Sequence, residues 1–416
     1  MLQKVTLDQQ IKAPQIFRLI PAAQRTALRS AAKTMRGKRV VHINGTAVGG
    51  GVAEILQSLI PYLRALGVQS DWYVIDPKVG AEFFAVTNKI HNAMQGGRVK
   101  ITAREWKRYT DVNRAIAKEL EKIDCDILVI HDPQPLLAGT LTHRDKHKIF
   151  FCHIDTSAAY RPVWKKLAPA ITAYHRIVFS NRAFVHSDLP KRKVRVFTPA
   201  IDPLVPKQTL VPRTAARRFL ARYGVPAHVP LVVQVSRFDV WKNPLGVIQA
   251  FRLIQHAQPE AHLALIGFNE AKDNPAAASV YNDVAAVAKN APHISLFFHP
   301  GKINIQTFTM MAQNAADVIV QNSIKEGFGL VVSEAMWKRQ PVIGGPASGV
   351  RKQVKNGVNG FIVRSSDELA KKVLYLLDHP AARRKMGAAA RKMVAEHFLF
   401  PRLTHDHLVL YRDCLS

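Results

Sequence analysis

Twice along this chain, a short β-branched run leads through a turn into an amphipathic helix and then into another extended run. In the first instance, residues 38–44 (Lys-Arg-Val-Val-His-Ile-Asn) end near a glycine cluster, Gly49-Gly50-Gly51. Val52, Ile55, Leu56, Leu59, Ile60 and Leu63 then recur at helical spacing until Gly67, and residues 71–75 begin the next strand. A strand, a glycine turn, a helix and a second strand make a βαβ unit of a parallel sheet. Further strands are expected over 127–131, 149–153, 176–179 and 194–197. A second series opens after the proline-bearing stretch 199–230: strand 231–235, helix 244–256, strand 263–267, strand 294–298, helix 305–314, strand 318–321, helix 330–338, and strands 341–343 and 360–363. This alternation predicts an α/β fold of two Rossmann-like, doubly wound parallel sheets facing across a cleft, with ligands at the carboxyl ends of the strands.

The expected domains are an N-terminal helical segment 1–37, a first Rossmann-like domain 38–200, a linker 201–230, a second Rossmann-like domain 231–395, and a C-terminal helix 396–416 crossing back to the first domain. Residues 14–36 read as one helix kinked at Pro21. A chain of 416 residues suits two cores, and 48% hydrophobic residues are enough to fill them. No run reaches the ~18 apolar residues of a membrane span, and the start MLQKVTLDQQ has no signal-peptide pattern. Cys125, Cys152 and Cys414 are too few and too scattered for a disulfide framework or a zinc site, so a reduced, cytoplasmic setting is expected.

Charge is the unusual feature. Lys and Arg number 59 against 30 Asp and Glu, a formal charge of +29. No acid lies between Asp8 and Glu54, and Arg25, Arg29, Lys33 and Arg36 fall on one predicted helical face. Basic clusters recur at 191–195, 213–222 and 383–392. A solvated basic surface explains this most simply. Docking to the inner face of an acidic membrane is the alternative, whereas the lack of aromatic interleaving argues against nucleic acid.

Four loops carry the candidate chemistry. In Glu326-Gly-Phe-Gly-Leu-Val-Val-Ser-Glu334, two glutamates bracket a glycine loop that opens a helix. The first amides of that helix, those of Gly329, Leu330 and Val331 just after Phe328, have no intrahelical acceptor and suit an anionic phosphate. Glu326 is placed to hold donor-sugar hydroxyls and Glu334 to accept from a ribose. Gln234-Val-Ser-Arg-Phe-Asp-Val-Trp-Lys-Asn243 offers two cations, Arg237 and Lys242, which stabilise the charge that develops on a departing diphosphate. Gly50 and Gly51 allow close backbone approach at a helix start. At strand ends, His153 suits a donor-sugar hydroxyl, while Asp132, Gln134 and Asp155 suit acceptor hydroxyls. No separate cofactor is expected, because the sugar donor is itself the substrate.

Taken together, these motifs resemble family 4 retaining glycosyltransferases of the GT-B fold. The likeness is nearest to trehalose glycosyltransferring synthases and trehalose phosphorylases, and it runs over about residues 36–395. It is carried by the segment His42 to Ile55, residues 83–96, His131-Asp-Pro-Gln-Pro135, Cys152-His-Ile-Asp155, the Ser-Arg-Phe-Asp-x-Trp-Lys loop and Glu334-Ala-Met-Trp-Lys338. The resemblance implies that Arg237 and Lys242 bind the diphosphate, that Glu334 binds ribose, that Glu326 and the 328–330 amides meet donor sugar and phosphate, and that His153 lies near the sugar hydroxymethyl group. It implies transfer with retention and without a metal. Three departures stand out: Phe151 where an arginine is usual, Asn243 where a glycine is common, and an altered stretch 344–349. Rival expectations are a phosphorylase using inorganic phosphate, a transferase for a lipid or polymer acceptor, and a non-enzymatic polyanion binder. A homodimer stays open.

Overall fold

A computed structural model describes residues 1–48, 51–142, 146–268, 275–289, 291 and 293–415. It separates into two compact units, Met1–Pro199 with Phe400–Ser416, and Ala200–Leu399.

The first unit holds a seven-stranded sheet among the described residues, ordered β1-β3-β2-β4-β5-β6-β7. Its strands are β1 (Leu2–Lys4), β2 (Arg39–Asn44), β3 (Gln69–Ile75), β4 (Ile127–His131), β5 (His147–Cys152), β6 (Arg176–Phe179) and β7 (Val194–Val196). All pairings are parallel except that of β1, which runs antiparallel along β3 with Leu2 opposite Ile75. Alternate residues divide between the two faces. Val41, Ile43, Leu128, Ile130, Phe150, Cys152, Ile177 and Phe179 enter one core. The opposite face carries His42, His131 and Phe151, and the helix Phe400–Leu415 lays His407 and Tyr411 against them.

The second unit holds a six-stranded, wholly parallel sheet among the described residues, ordered β10-β9-β8-β11-β12-β13. These strands are β8 (Leu231–Val235), β9 (His262–Ile266), β10 (Ile294–Phe297), β11 (Val318–Gln321), β12 (Val342–Gly344) and β13 (Gly360–Ile362). Both faces are covered, as parallel sheets require. Val233, Ala264 and Ile319 face one core, and Val232, Leu263 and Val318 face the other.

Several expectations need correction. Pro21 does not kink a helix: it caps a new one in extended conformation (φ −60, ψ 161), leaving two helices, Ala13–Arg18 and Ala22–Met35. Arg36 therefore falls outside the basic helical face, Arg25 donates to the carbonyl of Ile20, and Arg29 lies over the Phe17 ring. Residues 201–230 are not a free linker but part of the second unit, with the helix Arg213–Ala221 packed into it. The final helical stretch is two helices, Pro380–His397 and Phe400–Leu415, and the unit boundary falls between them. The helix Phe400–Leu415 packs on Ala22–Met35 and Gly51–Ala65, so the residues before 38 form part of the first unit's body.

Candidate functional site

Among the parallel strands of each sheet the order reverses once, between β2 and β4 in the first and between β8 and β11 in the second. Most of the described predicted site residues lie in the loops that leave these strands, where open α/β sheets bind ligands, while His153 and Asp155 follow β5 and Glu334 lies within the helix Leu330–Trp337.

In the second unit, three hydrogen bonds knit the two loops together. Gln234, near the end of β8 and 1% exposed, accepts from the Asn322 amide at 3.0 Å and donates to the Lys242 carbonyl at 3.1 Å. The Ile324 amide donates to the Trp241 carbonyl at 2.8 Å. Within 236–243, Asp239 accepts from the Trp241 amide and turns the chain into a 3₁₀ turn. Asn243 follows at φ 50, in the left-handed region, and caps the helix Pro244–Ala257 by accepting from Gly246. A glycine is easy at such a φ, and asparagine is the side chain that best tolerates it. Asn243 therefore preserves the turn and adds a cap.

The result is a close polar group. Lys242 Nζ lies 2.5 Å from Glu326 Oε2, with both side chains largely enclosed, at 12% and 14% exposed. Gly329, at φ 80, begins the helix Leu330–Trp337, and a Cβ there would stand 3.0 Å from Glu326 Cγ. Among the described residues this helix has no side-chain N-cap, so its first amides, Leu330 and Val331, follow directly on the Gly329 that lies against Glu326. The Phe328 ring turns away into the core against Phe398, leaving only its backbone at the loop. Gln353, missed in the sequence, fixes this loop by donating to the Phe328 carbonyl and accepting from Ser333. Gly349 lets the helix Ser348–Gln353 close on it, since a Cβ there would meet Phe328 Cα at 2.6 Å. Arg237 is placed differently: its side chain is 68% exposed and touches Asp239 at 3.5 Å, within its own loop.

Glu334 is not the open acceptor the sequence suggested. It is fully buried, with Oε1 2.7 Å from Lys207 Nζ and Oε2 within 3.5 Å of Gln313 Nε2. Burial pushes its pKa up, but Lys207 and Lys338 outweigh that and hold it below the ordinary value.

In the first unit, the polar residues form a row across three adjacent strands. His42 lies opposite Val129, two residues before His131, and His131 lies opposite Phe151, two residues before His153. All three histidines therefore project from one face. His42 Nδ1 is 3.0 Å from His131 Nε2, His131 Nδ1 is 2.9 Å from His153 Nε2, and Tyr411 Oη is 3.2 Å from His42 Nε2. Phe151 stacks at 4.6 Å on His153, at 5.6 Å on His131 and at 5.5 Å on His407. Burial, reinforced by His407, pulls His153 down to about 3, and burial pulls His42 and His131 well below the ordinary value. The row is neutral near pH 7.

Asp132 also departs from expectation. It is 8% exposed at φ 60, and its Oδ1 accepts from the His153 amide at 2.8 Å, so it anchors His153 instead of lying open to a sugar. Burial raises its pKa to about 7. Asp155 closes a turn onto the Ser157 amide and hydroxyl. Gln134 does have a buried Oε1 without a partner among the described residues, and its side chain packs against Gly45 at the end of β2. Gly51 starts the helix Gly51–Ala65, and a Cβ there would meet nothing within 4 Å. Gly50 lies outside the described residues.

Far from these loops, at the amino ends of β11 and β12, a 330 Å³ cavity is lined by Arg213, Arg339, Arg383 and Arg384. It includes none of the predicted site residues.

Each unit has the architecture of one half of the GT-B fold of glycosyltransferases. A family model described as trehalose synthase, N-terminal domain, matches residues 42–186, and one described as glycosyl transferases group 1 matches residues 217–393. Trehalose synthase from Pyrococcus horikoshii is 37% identical over 92% of this chain and 91% of its own length. That from Rubrobacter xylanophilus is 38% identical over 94% of each. An α,α-trehalose-phosphate synthase (UDP-forming) from Burkholderia xenovorans, solved in complex with glucose-6-phosphate, shares the fold with TM-score 0.72 at 14% identity, over 91% of this chain and all of that one. The chain belongs to the trehalose synthase family of glycosyltransferases. Among the described residues, no helix is long and apolar enough to cross a membrane.

The residues missed in the sequence are Lys207, Gln353 and Tyr411, which act through contacts more than 19 positions away. His42 and His131 left a signal: His42 sits between the buried Val41 and Ile43, and His131 ends the otherwise apolar strand β4.

Proposed function

We propose that the chain transfers a hexose, glucose first among candidates, from a nucleoside diphosphate sugar to a second sugar with retention, making trehalose or a close α-glucoside. The observation that carries this reading is the meeting of Lys242, Glu326 and the helix-opening amides at one place in the second unit. In this reading the diphosphate takes over Lys242 as its counterion, supported by the Leu330 and Val331 amides and by Arg237. Glu326, released from Lys242, accepts hydrogen bonds from donor-sugar hydroxyls. Glu334 accepts from the ribose as Lys207 gives way. The bond from the anomeric carbon to the phosphate oxygen breaks as the acceptor oxygen bonds to that carbon from the same side. The acceptor's proton passes to the departing phosphate oxygen. Lysine, arginine and amide dipoles supply the positive charge, which is the basis for a metal-independent reading. His153 and the Oε1 of Gln134, which has no partner among the described residues, hold sugar hydroxyls.

The test is incubation with nucleoside diphosphate glucoses and glucose, followed by analysis for a non-reducing disaccharide and free nucleoside diphosphate. Neither product with any common sugar acceptor would overturn the reading. Glucose 1-phosphate released from trehalose only when inorganic phosphate is added would replace it with a phosphorylase.

A further inference from the structure

The histidine row has a direction, and one hydroxyl sets it. A neutral imidazole has one N–H donor and one lone-pair acceptor, so a file of hydrogen-bonded neutral rings must point all its protons the same way. Two polarities satisfy the His42–His131 and His131–His153 contacts equally well. The end of the file decides between them. Tyr411 is fully buried, and the only hydrogen-bond partner of its hydroxyl among the described residues is His42 Nε2. If His42 donated to Tyr411, the phenol hydrogen would be buried with no acceptor, an arrangement folded proteins avoid. Tyr411 therefore donates. His42 then carries its hydrogen on Nδ1 and donates to His131 Nε2, and His131 carries its own on Nδ1 and donates to His153 Nε2.

We propose that Tyr411, His42 and His131 are positioning residues that fix His153 as its Nδ1–H tautomer, so that it presents a hydrogen-bond donor to a sugar oxygen. His153 Nδ1 has no protein partner among the described residues, and the ring is half-buried. Phe151 stacks almost parallel to His153 and His131, at 11° and 21°, and holds both rings flat along the file. An arginine in its place would set a cation against rings that burial keeps neutral. Asp132, accepting from the His153 amide, pins the backbone from the other side. The helix Phe400–Leu415 thus reaches the candidate site through Tyr411 without touching a ligand. That the oxygen belongs to a sugar rests on the function proposed above, whereas the tautomer does not.

Nitrogen-15 NMR of the full-length protein at pH 7 tests the proposal. The three histidines are assigned by replacing them singly with Gln, and the long-range proton couplings of each ring are read. Expected are a protonated-type shift at Nδ1 and a lone-pair shift at Nε2 for His42, His131 and His153. An Nε2–H tautomer or an imidazolium at any of the three would overturn the proposal. Tyr411→Phe keeps the ring and removes the deciding hydrogen. It should give mixed tautomers at His153 and lower kcat about tenfold with KM nearly unchanged, the scale seen when an outer hydrogen-bond partner of a functional ring is lost. Unchanged shifts and kcat in that variant, at unchanged melting temperature, would also overturn it. If wild-type protein shows the expected tautomers but transfers no sugar, the positioning stands and the proposed reaction falls.

Discussion

Lys242 Nζ lies 2.5 Å from Glu326 Oε2, and this contact joins two loops 84 residues apart in sequence at the point where the second sheet reverses its strand order. If the diphosphate displaces Glu326 from the lysine, the two residues work as a unit. Lys242→Ala should lower kcat/KM by about 10²–10³-fold, the usual cost of removing one group that stabilises developing charge. It also leaves Glu326 unpaired and facing an anionic donor. Lys242→Ala/Glu326→Gln should therefore fall less far than the sum of the single losses, by at least ~1 kcal/mol in a double-mutant cycle. Steady-state kinetics on the four proteins give the number, and strict additivity would show that the pair is not a functional unit.

Arg237 should behave otherwise. With its side chain 68% exposed and only a loose contact to Asp239, Arg237→Ala should change stability by no more than ~0.5 kcal/mol. Its effect should appear in turnover, because an exposed cation on this loop has little structural work to do. Urea unfolding and initial rates separate the two. Wild-type rates would remove Arg237 from the diphosphate site.

Asp132 gives a pH signature. Burial raises its pKa from 3.8 to about 7, so between those values the folded chain keeps a proton that the unfolded chain has released. Stability then falls as pH rises through this window, by roughly 4 kcal/mol in all from some three units at 1.36 kcal/mol each. The buried histidines oppose it. Between their depressed folded values, about 3 for His153 and about 4 for His407, and the ordinary histidine range, the unfolded chain holds the extra protons, and stability rises with pH. His42 and His131 add to that opposing slope. Asp132→Asn isolates the carboxylate, because asparagine tolerates φ 60 and keeps an oxygen for the His153 amide. The stability of the variant relative to wild type should climb by several kcal/mol from pH 4 to pH 7.5. A flat difference would show that Asp132 ionises normally.

How much of this was legible depended on the range of the contact. Strands 127–131, 176–179, 231–235 and 318–321 coincide with β4, β6, β8 and β11, because apolar runs between turn residues are local signals. The loop 236–243 and the glycine loop at 326–329 were likewise readable as places of backbone turn and charge. What spacing cannot show is which distant side chain meets which. Glu334 looked like an open ribose acceptor because Lys207, its counterion, comes from a stretch that composition marked as linker. Asp132 looked like a sugar ligand because its left-handed φ and its bond to the His153 amide are tertiary facts. Tyr411 reaches His42 across 369 positions. The basic clusters were visible as charge, but not as the buried pairing of Arg217 or the stacking of Arg391 on Trp337 at 3.9 Å.

That buried pairing gives the sharpest stability test. Asp317, 6% exposed at the amino end of β11, accepts from Arg213 and Arg217, lies 3.2 Å from Arg383, and caps the Leu231 amide at 2.9 Å. Arg217 is itself 5% exposed, and its remaining donors reach the carbonyls of Ala315 and Val229. Three guanidinium groups around one carboxylate mean that its removal leaves like charges together in a partly dry setting, where an orphaned ion costs more than the pair contributed. Asp317→Asn keeps the shape and an oxygen for Leu231 but loses the charge. It should destabilise the second unit by ~3–5 kcal/mol, and Asp317→Asn/Arg217→Met should recover part of that loss by removing the stranded cation. Denaturant unfolding followed through the Trp241 and Trp337 fluorescence of that unit measures both. Because the carboxylate is at the sheet end opposite the Lys242–Glu326 pair, folded Asp317→Asn protein should keep its kcat, and a large loss there would tie this arginine cluster to the reaction.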